Sequence, residues 1–343
     1  MKTVLALDPG YLGTRTGICR SGPPREGCPG TADPAGLRID VRMVPPGEDP
    51  FEPAEAALGS PPSIVAVPGG PLGPCRTRAE RETRPLNAEL AEEAQRVYAW
   101  HPLNRAIAAA HRYCARRGVP GIVVRPMSSA DLLPEARLSG HKECERRGDF
   151  YAVPQRAAFA KAADTLGIPR ETARLIAVYL GEEVAVSSYV GGAVVDTSDP
   201  VACEGPFGFT SMGTPPATGF VSWAAAQKRP ADDLRAELKE RSGAFAYAGA
   251  TDLDSLREAL ASGNEGAVRG IAGMAYQVSK EIGRQMAALR GTARCVALCG
   301  PGASLEPLVS DISRRVAKWC EVIVLREDLI MQSLVAEGIL ALS

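Results

Sequence analysis

Apolar runs of strand length recur along the chain and are separated by short turns. Between residues 174 and 197 an apolar strand, a tight turn, a second strand, a two-glycine turn and a third strand follow one another. The same order occurs near the start, at Val4–Gly10, Thr14–Arg20 and Leu37–Met43. Apolar runs bounded by turn residues are typical of an antiparallel meander. The repetition indicates an internal duplication, so we predict two related halves.

After each meander the pattern changes to helices that alternate with buried strands. Around the first meander we predict loops at Ser21–Pro34 and Pro45–Pro62, helices at Pro53–Leu58, Leu86–Trp100 and from Pro102 to a stop at Gly118, and strands at Ser63–Val67 and Gly121–Arg125. Around the second we predict helices at Gln155–Gly167, Ser255–Ser262, Glu265–Leu289 and Leu329–Leu342, a helix that ends at Lys318, and strands at Cys295–Leu298 and Glu321–Leu325. This order is typical of mixed α/β domains. The predicted domains are 1–150 and 151–343.

Length and charge restrict the kinds of partner. A chain of 343 residues can form two domains that each bury a core. Its formal charge of −1 creates no field that favours nucleic acid or an anionic membrane. No apolar run reaches membrane-spanning length, and the N-terminal run is interrupted too early for a signal peptide. We therefore predict a soluble cytoplasmic protein that binds neither nucleic acid nor membrane.

Cysteine and histidine do not form a metal-binding pattern in the sequence. The nine cysteines are scattered without a CxxC pair, and the three histidines are dispersed. Cysteines in such a chain are more often small buried apolar residues than metal ligands. His101 and His111 lie in or beside a predicted helix, so we expect structural roles for both.

Glycine-bearing turns follow several of the buried strands. They occur at Asp8–Gly10, Gly181–Glu183, Gly300–Ala303 and Pro68–Pro71. Open α/β sheets bind ligands at the carboxyl ends of their strands, and glycine lets the backbone approach a phosphate. Pro301 removes one amide donor from the third of these turns. We expect the first two turns to face a common cleft that binds a ligand.

Several segments, in the same order, resemble butyrate kinases. They are Leu175–Val195, Glu204–Phe207, Gly243–Tyr247, Met274–Gln277 and Lys280–Gly283. The resemblance implies two duplicated ribonuclease-H-like domains with a central cleft, the fold of the acetate and sugar kinase, Hsc70 and actin superfamily. It also implies ATP- and Mg²⁺-dependent phosphorylation of a short carboxylic acid to an acyl phosphate, or the reverse. Members of this family commonly assemble as dimers or larger, so we expect a homodimer or larger assembly.

The resemblance also implies roles for individual residues. The catalytic candidates are Asp8, which would hold Mg²⁺ through water, Arg15, where the family has a lysine, and Tyr151, where it has a histidine. The nucleotide-binding candidates are Gly10, Gly181, Glu182, Glu183, Gly300, Gly302 and Ala303. The substrate-binding candidates are Gly69, Gly70, Arg76, Glu204, Gly205 and Phe207. An alternative is that Asp8 only caps a turn.

The chain departs from the family pattern at three groups of positions. Glu182 and Glu183 stand where the family has glycines, and each would repel a phosphate charge by about 4 kcal/mol at ~4 Å and intermediate dielectric. The family has two arginines that bind the carboxylate. Here the segment 208–215 contains no arginine, and Pro68 stands at the position of the other. Tyr151 replaces a cation with a neutral phenol.

Three hypotheses of function stay open. The first is an active carboxylate kinase in which Arg76, Arg78 or Arg81 replaces the arginines and Glu182 or Glu183 recruits metal. The second is an inactive pseudokinase that serves as a scaffold or as a regulatory subunit of an active paralogue. The third is a different ligand in the same cleft. The Arg-rich segment 75–84 is more simply a solvated loop than an anion clamp.

Overall fold

The computed structural model of the chain describes residues 2–20, 31–32 and 38–343. These residues form two compact units, Met1–Ser129 with Asp328–Ser343 and Ala130–Glu327. The units differ from the predicted domains 1–150 and 151–343 in two places. Residues 130–150 group with the second unit, and the C-terminal helix groups with the first. No helix of the described residues is long and apolar enough to cross a membrane.

The first unit is built on a seven-stranded mixed sheet. Its elements before the second unit are β1 (Thr3–Gly10), β2 (Gly13–Arg20), β3 (Thr31–Ala32), β4 (Arg38–Val44), α1 (Phe51–Leu58), β5 (Ile64–Pro68), β6 (Arg84–Pro85), α2 (Ala88–Arg96), α3 (Pro102–Arg117) and β7 (Gly121–Val124). The strand order is β3-β4-β2-β1-β5-β7-β6. Strands β1, β2 and β4 form the predicted antiparallel meander, and β5 and β7 extend it in parallel from β1.

Part of the predicted loop Ser21–Pro34 lies outside the described residues, as does Leu37 of the predicted third strand. Within that loop, Thr31–Ala32 form β3, which pairs with β4. Helix α3 has the predicted buried face, which includes Leu103, Ile107 and Tyr113. It ends at Gly118, whose positive φ of 66° is a conformation that glycine adopts without strain.

The second unit repeats the plan of the first on a five-stranded sheet. Its elements are α4 (Ala152–Thr165), β8 (Arg174–Leu180), β9 (Val184–Val190), β10 (Ala193–Thr197), α5 (Ala217–Gln227), α6 (Ala231–Glu240), α7 (Gly243–Ala248), α8 (Leu253–Ala261), α9 (Glu265–Ala288), β11 (Cys295–Cys299), α10 (Glu306–Val316) and β12 (Glu321–Val324). The strand order is β10-β9-β8-β11-β12. Three antiparallel strands are again followed by two parallel ones. The α/β class and the internal duplication are therefore confirmed.

The last helix, α11 (Leu329–Ala341), packs on the sheet of the first unit. A Cβ placed at Gly338 would lie 2.6 Å from the Val4 side chain on β1, so glycine permits a close approach of the helix. Glu337 accepts hydrogen bonds from Arg125 at 2.6 Å and from Thr83 at 2.9 Å. Apolar packing and ion pairing together attach this helix to the sheet.

Residues 217–248 contain three helices for which the sequence pattern gave no prediction. Helix α5 has an apolar composition without a buried stripe, and none of its residues is buried. Helix α6 buries only Lys239. Because hydrophobic periodicity reflects burial of one helix face, helices that bury so little leave no periodic signal. Helix α2 is also shorter than predicted and ends before Tyr98, whose φ is 49°.

The cysteines are less uniformly buried than predicted. Of the eight that the structure describes, Cys19, Cys114, Cys295 and Cys299 are buried. Cys144 is exposed, so the expectation of a buried residue is wrong there. It lies in a polar segment between elements, where apolar packing is sparse. Cys28 lies outside the described residues.

We predict that α11 contributes strongly to the stability of the first unit. Leu334 is fully buried, so Leu334→Ala should lower the free energy of unfolding by about 2–4 kcal/mol. Leu340 on the same helix is 70% exposed, and Leu340→Ala should change it by less than about 0.5 kcal/mol. Urea unfolding of both variants tests this. Equal effects at the two positions would contradict the packing described.

Candidate functional site

Asp8–Gly10, predicted as a turn, form the end of β1 instead, and Asp8 is held by an arginine from the next strand. Arg15 Nε donates to Asp8 Oδ2 at 2.9 Å, and its Nη1 donates to Asp328 Oδ2 at 2.7 Å. Burial raises the pKa of Asp8, and the positive charge of Arg15 opposes this rise. Two of the predicted catalytic residues are thus bonded to each other. Arg15 thus lies between the carboxylates of Asp8 and Asp328.

The other predicted residues of the first unit have mainly packing roles. Gly10 lines a cavity of about 290 Å³ beside the first turn. A Cβ at Gly69 would lie 2.5 Å from the backbone of Pro126, and one at Gly70 would lie 1.9 Å from Asn104 Oδ1. Close packing therefore explains both glycines without a ligand. Arg76 is exposed in a loop, in agreement with the simpler interpretation of the Arg-rich segment.

In the second unit the sheet brings two predicted nucleotide-binding turns together. Strands β8 and β11 are parallel neighbours, and Tyr179 pairs with Cys299. The turn at Gly181 and the loop at Gly300 follow these strands, so they lie side by side at the same edge. A Cβ at Gly300 would lie 2.7 Å from the Leu180 carbonyl oxygen. Gly300 has a φ of 90°, and Ala303 N donates to its carbonyl at 3.0 Å.

The ring of Tyr179 packs against both of these turns. A Cβ at Gly181 would lie 2.6 Å from this ring, and one at Gly300 would lie 2.8 Å from it. Tyr151 stacks on the same ring, with centroids 4.3 Å apart and planes inclined by 25°. Gly302 is closed in a similar way, because a Cβ there would lie 2.8 Å from Leu180. Glycine is therefore required here for contacts within the protein.

Glu183 is the centre of a buried polar cluster. Its carboxylate is fully buried and accepts from Lys239 Nζ at 2.7 Å and from the Tyr151 hydroxyl at 2.7 Å. Lys239 is 2% exposed and also donates to the Pro200 carbonyl oxygen. Burial alone would lower the pKa of Lys239, but the Glu183 carboxylate and the neighbouring Cys203 together raise it. The negative charge of Glu183 is thus compensated within the protein, whereas Glu182 is only half-buried.

The substrate-binding candidates of the second unit lie around a second arginine. Glu204 accepts from Arg146 Nε at 2.7 Å, and Arg146 also pairs with Asp196 at 3.1 Å. Burial would lower the pKa of Arg146, but the carboxylates of Glu204 and Asp196 together raise it above its usual value. Gly205 and Phe207 line a groove of about 860 Å³. Glu204 therefore anchors the segment 130–150 to the sheet, and Gly205 and Phe207 line the groove next to it.

A pair of buried carboxylates lies beside this anchor. Asp199 is 2% exposed and accepts from the backbone N–H groups of Gly148 and Asp149, each at 3.2 Å. Burial raises the pKa of Asp199 to about 7, and the neighbouring Asp149 carboxylate adds to the rise. Asp149 in turn accepts from Arg147 at 3.0 Å. This pair is a site where protonation and stability are linked.

Several of these partners could not be found from the sequence. Lys239 lies 56 positions from Glu183 and in a segment that has the composition of a solvated helix. Arg146 lies 58 positions from Glu204, and Asp328 lies 313 positions from Arg15. Glu183 itself was the one signal in the sequence for a partner such as Lys239, because a charged residue in place of a glycine needs a compensating group. Within the described residues, no group of three or more His, Cys, Asp or Glu side chains is arranged to hold a metal ion.

Comparison with known proteins gives consistent similarities. Residues 142–323 match the model of a family described as the Acetokinase family. The chain is 31% identical over 216 residues to a protein named "Probable butyrate kinase" from Enterococcus faecalis, which covers 63% of this chain and 60% of that protein. It is 34% identical over 228 residues to a protein of the same name from Deinococcus radiodurans, which covers 66% and 59%. The chain thus spans about three fifths of the length of these relatives.

Solved structures with the same arrangement of elements include two carboxylate kinases. The acetate kinase of Porphyromonas gingivalis has a TM-score of 0.72 at 17% identity and covers 100% of both chains. The propionate kinase of Francisella tularensis has a TM-score of 0.74 at 16% identity and covers 97% of this chain and 98% of its own. At such identities the likeness establishes the fold alone. This agrees with the superfamily fold that the sequence predicts.

We predict that removing only one partner of the buried pair Glu183–Lys239 destabilises the protein more than removing both. Lys239→Met should lower the free energy of unfolding by about 3–5 kcal/mol, because it leaves a buried carboxylate without its cation. The double variant Glu183→Gln with Lys239→Met should recover most of that loss. Urea unfolding measures both. A loss below about 1 kcal/mol in the single variant would show that the pair is dispensable.

We predict that Asp199 makes the protein less stable as the pH rises. Its pKa of about 7 lies above the ordinary value of 3.8, so the folded state keeps a proton that the unfolded chain releases. Stability should therefore fall between about pH 4 and pH 7, by on the order of 1 kcal/mol or more. In Asp199→Asn this part of the slope should vanish in unfolding measured from pH 5 to 8. Asp40→Asn, at a 43% exposed carboxylate, is the control and should keep the wild-type slope.

Proposed function

Because this chain belongs to the Acetokinase family, we propose that it transfers a phosphoryl group between ATP and a short-chain carboxylate to form an acyl phosphate. The observation that carries the proposal is the pair of glycine turns that follow the parallel strands β8 and β11. Backbone amides at such turns are suited to bind phosphate, and the carboxyl edge of a sheet is where ligands bind in open α/β folds. We place this activity in the cytoplasm.

ATP and Mg²⁺ are the cofactors that this reaction requires. We assign the nucleotide to the loop Gly300–Ala303 and the turn at Gly181, which follow two neighbouring parallel strands. Mg²⁺ when bound would neutralise the phosphate oxygens, and Asp8 is the residue that we assign to hold it through water. Arg15 fits this role because its bonds to Asp8 and Asp328 fix the orientation of both carboxylates. Arg15 therefore acts as a positioning residue.

Tyr151 also acts as a positioning residue in this proposal. Its hydroxyl donates to Glu183 and its ring stacks on Tyr179, so both polar and aromatic groups are engaged within the protein. It cannot contribute the positive charge that a histidine could. We propose that it fixes Tyr179 against the two glycine turns and so sets the shape of the phosphate-binding edge.

A second function is favoured by a specific observation, the packing of Tyr179 against Gly181 and Gly300. If that ring leaves too little space for phosphate, the protein is an inactive pseudokinase that acts as a scaffold or as a regulatory subunit. Its partners would then include an active paralogue in a hetero-oligomer. In the active alternative we propose a homodimer or larger assembly with a small carboxylic acid or acyl phosphate as ligand. A different ligand at the same edge is the third possibility.

We predict that purified protein with Mg²⁺ forms acyl phosphate from ATP and carboxylic acids of about two to five carbons, the proposed substrate class. Hydroxylamine converts acyl phosphate to a hydroxamate that is measured by its colour with ferric iron. Arg15→Gln should lower the rate by about 100-fold because Asp8 loses its fixed orientation. Arg15→Lys keeps the charge and should retain more activity. Arg42→Gln, at an exposed arginine of β4, should leave the rate unchanged.

The same preparation distinguishes the alternatives. No hydroxamate together with nucleotide binding in isothermal titration would support the pseudokinase. Absence of both at millimolar ATP and Mg²⁺ would overturn the kinase assignment and favour a different ligand.

A further inference from the structure

The groove beside Gly205 and Phe207 lies wholly within the second unit. Its volume of about 860 Å³ is near the upper end of the range of about 300–1,000 Å³ that is usual for sites of drug-sized ligands. One wall is formed by the loop after Glu204 and the other by α7 and the middle of α9. An acid with a very short chain would fill only a small part of this space. The groove is therefore large for the acids of the proposed reaction.

The groove is lined by both apolar and cationic side chains. Apolar groups come from Phe207, Met212, Pro215, Pro216 and Ala246, together with the ring of Tyr247, which is 55% exposed. Three cations, Arg241, Lys280 and Arg284, also line the groove. A ligand with an apolar body and one anionic end matches such a lining, because it offers both apolar contacts and cations.

The cations differ in how firmly they are engaged. Arg284 pairs with the buried Glu281 at 2.9 Å and lies 3.6 Å from Glu204, so its charge is largely compensated. Arg241 lies 4.0 Å from Glu237, the limit of an ion pair. Lys280 lies over the ring of Tyr276 at 5.4 Å and meets the amide oxygen of Gln277 at 3.5 Å, both weak interactions. Arg241 and Lys280 can therefore turn to an anion at little cost.

The carboxylate in the groove does not cancel this positive character. Glu281 is buried and receives hydrogen bonds from Arg284 and from Gln285 at 3.1 Å. The net charge of the four groups that line the groove, Arg241, Lys280, Arg284 and Glu281, is positive. Both the electrostatics and the apolar area favour the same class of ligand.

We propose that this groove binds carboxylates with a medium-length alkyl or an aryl body, with Lys280 and Arg241 at the carboxylate and Phe207 and Tyr247 along the apolar part. A role for such an acid as phosphoryl acceptor rests on the proposed function, whereas its binding in the groove does not. The inference thus assigns to the groove acids that are longer than those of the proposed reaction.

The test measures binding of octanoate by isothermal titration to the full chain, without nucleotide. Octanoate should bind at least about tenfold more tightly than butyrate, because more apolar surface is buried. It should also bind more tightly than octanol, which lacks the charge. The double variant Arg241→Gln with Lys280→Gln should weaken octanoate binding by about tenfold. Arg269→Gln, at an exposed arginine of the same helix α9 outside the groove lining, is the matched control and should change nothing.

A second variant tests the volume of the groove rather than its charge. Ala246 is exposed and lines the groove, so Ala246→Trp should fill the space without disturbing the core. It should abolish octanoate binding while the thermal unfolding midpoint stays within a few degrees of wild type. Equal affinity for octanoate and butyrate, or octanoate binding that survives both variants, would overturn the inference.

The assay for hydroxamate keeps this inference separate from the proposed function. Octanoate binding without hydroxamate from any acid would leave the groove assignment intact and remove the kinase activity. Hydroxamate from butyrate without octanoate binding would do the opposite.

Discussion

The buried ion pair between Glu183 and Lys239 is the constraint to which the second unit is adapted. A carboxylate removed from water is strongly unfavourable unless charge and hydrogen bonds compensate it. Here Lys239 on α6 and the Tyr151 hydroxyl at the start of α4 both bind the Glu183 carboxylate. The position of α6, which buries no other residue, follows from this pair. The substitutions of tyrosine and glutamate that look like separate losses in the sequence are parts of one cluster.

In both units an acid near the end of the first strand is paired with a cation, although the residues differ. In the first unit Asp8 is bound by Arg15 from the adjacent strand, and Asp328 completes the cluster from the start of α11. In the second unit Glu183 is bound by Lys239 from the end of a remote helix. In each unit an acid near the end of the first strand is therefore paired with a cation and linked to a segment that is distant in sequence.

The sequence was most informative where burial is periodic and least informative where contacts are remote. The meanders, α3 and α9 could be predicted because their apolar residues repeat at the spacing of strands or helices. Helices α5 and α6 could not, since they bury almost nothing. For the same reason the candidates Gly181 and Gly300 could be chosen from their place after strands, whereas the ring of Tyr179 between them could not. Pairing of Glu183 with Lys239 depends on how α6 folds back, and no local pattern encodes it.

The place of α11 has a consequence for how the chain acquires its structure during translation. Its strand partners β1 and β5 leave the ribosome early, but α11 follows only after the whole of Ala130–Glu327 has been synthesised. The second unit, by contrast, is continuous in the chain. The surface of the first sheet around Val4 stays uncovered until α11 has been made. The first unit, although it begins at the N-terminal end, therefore cannot complete its core early in synthesis.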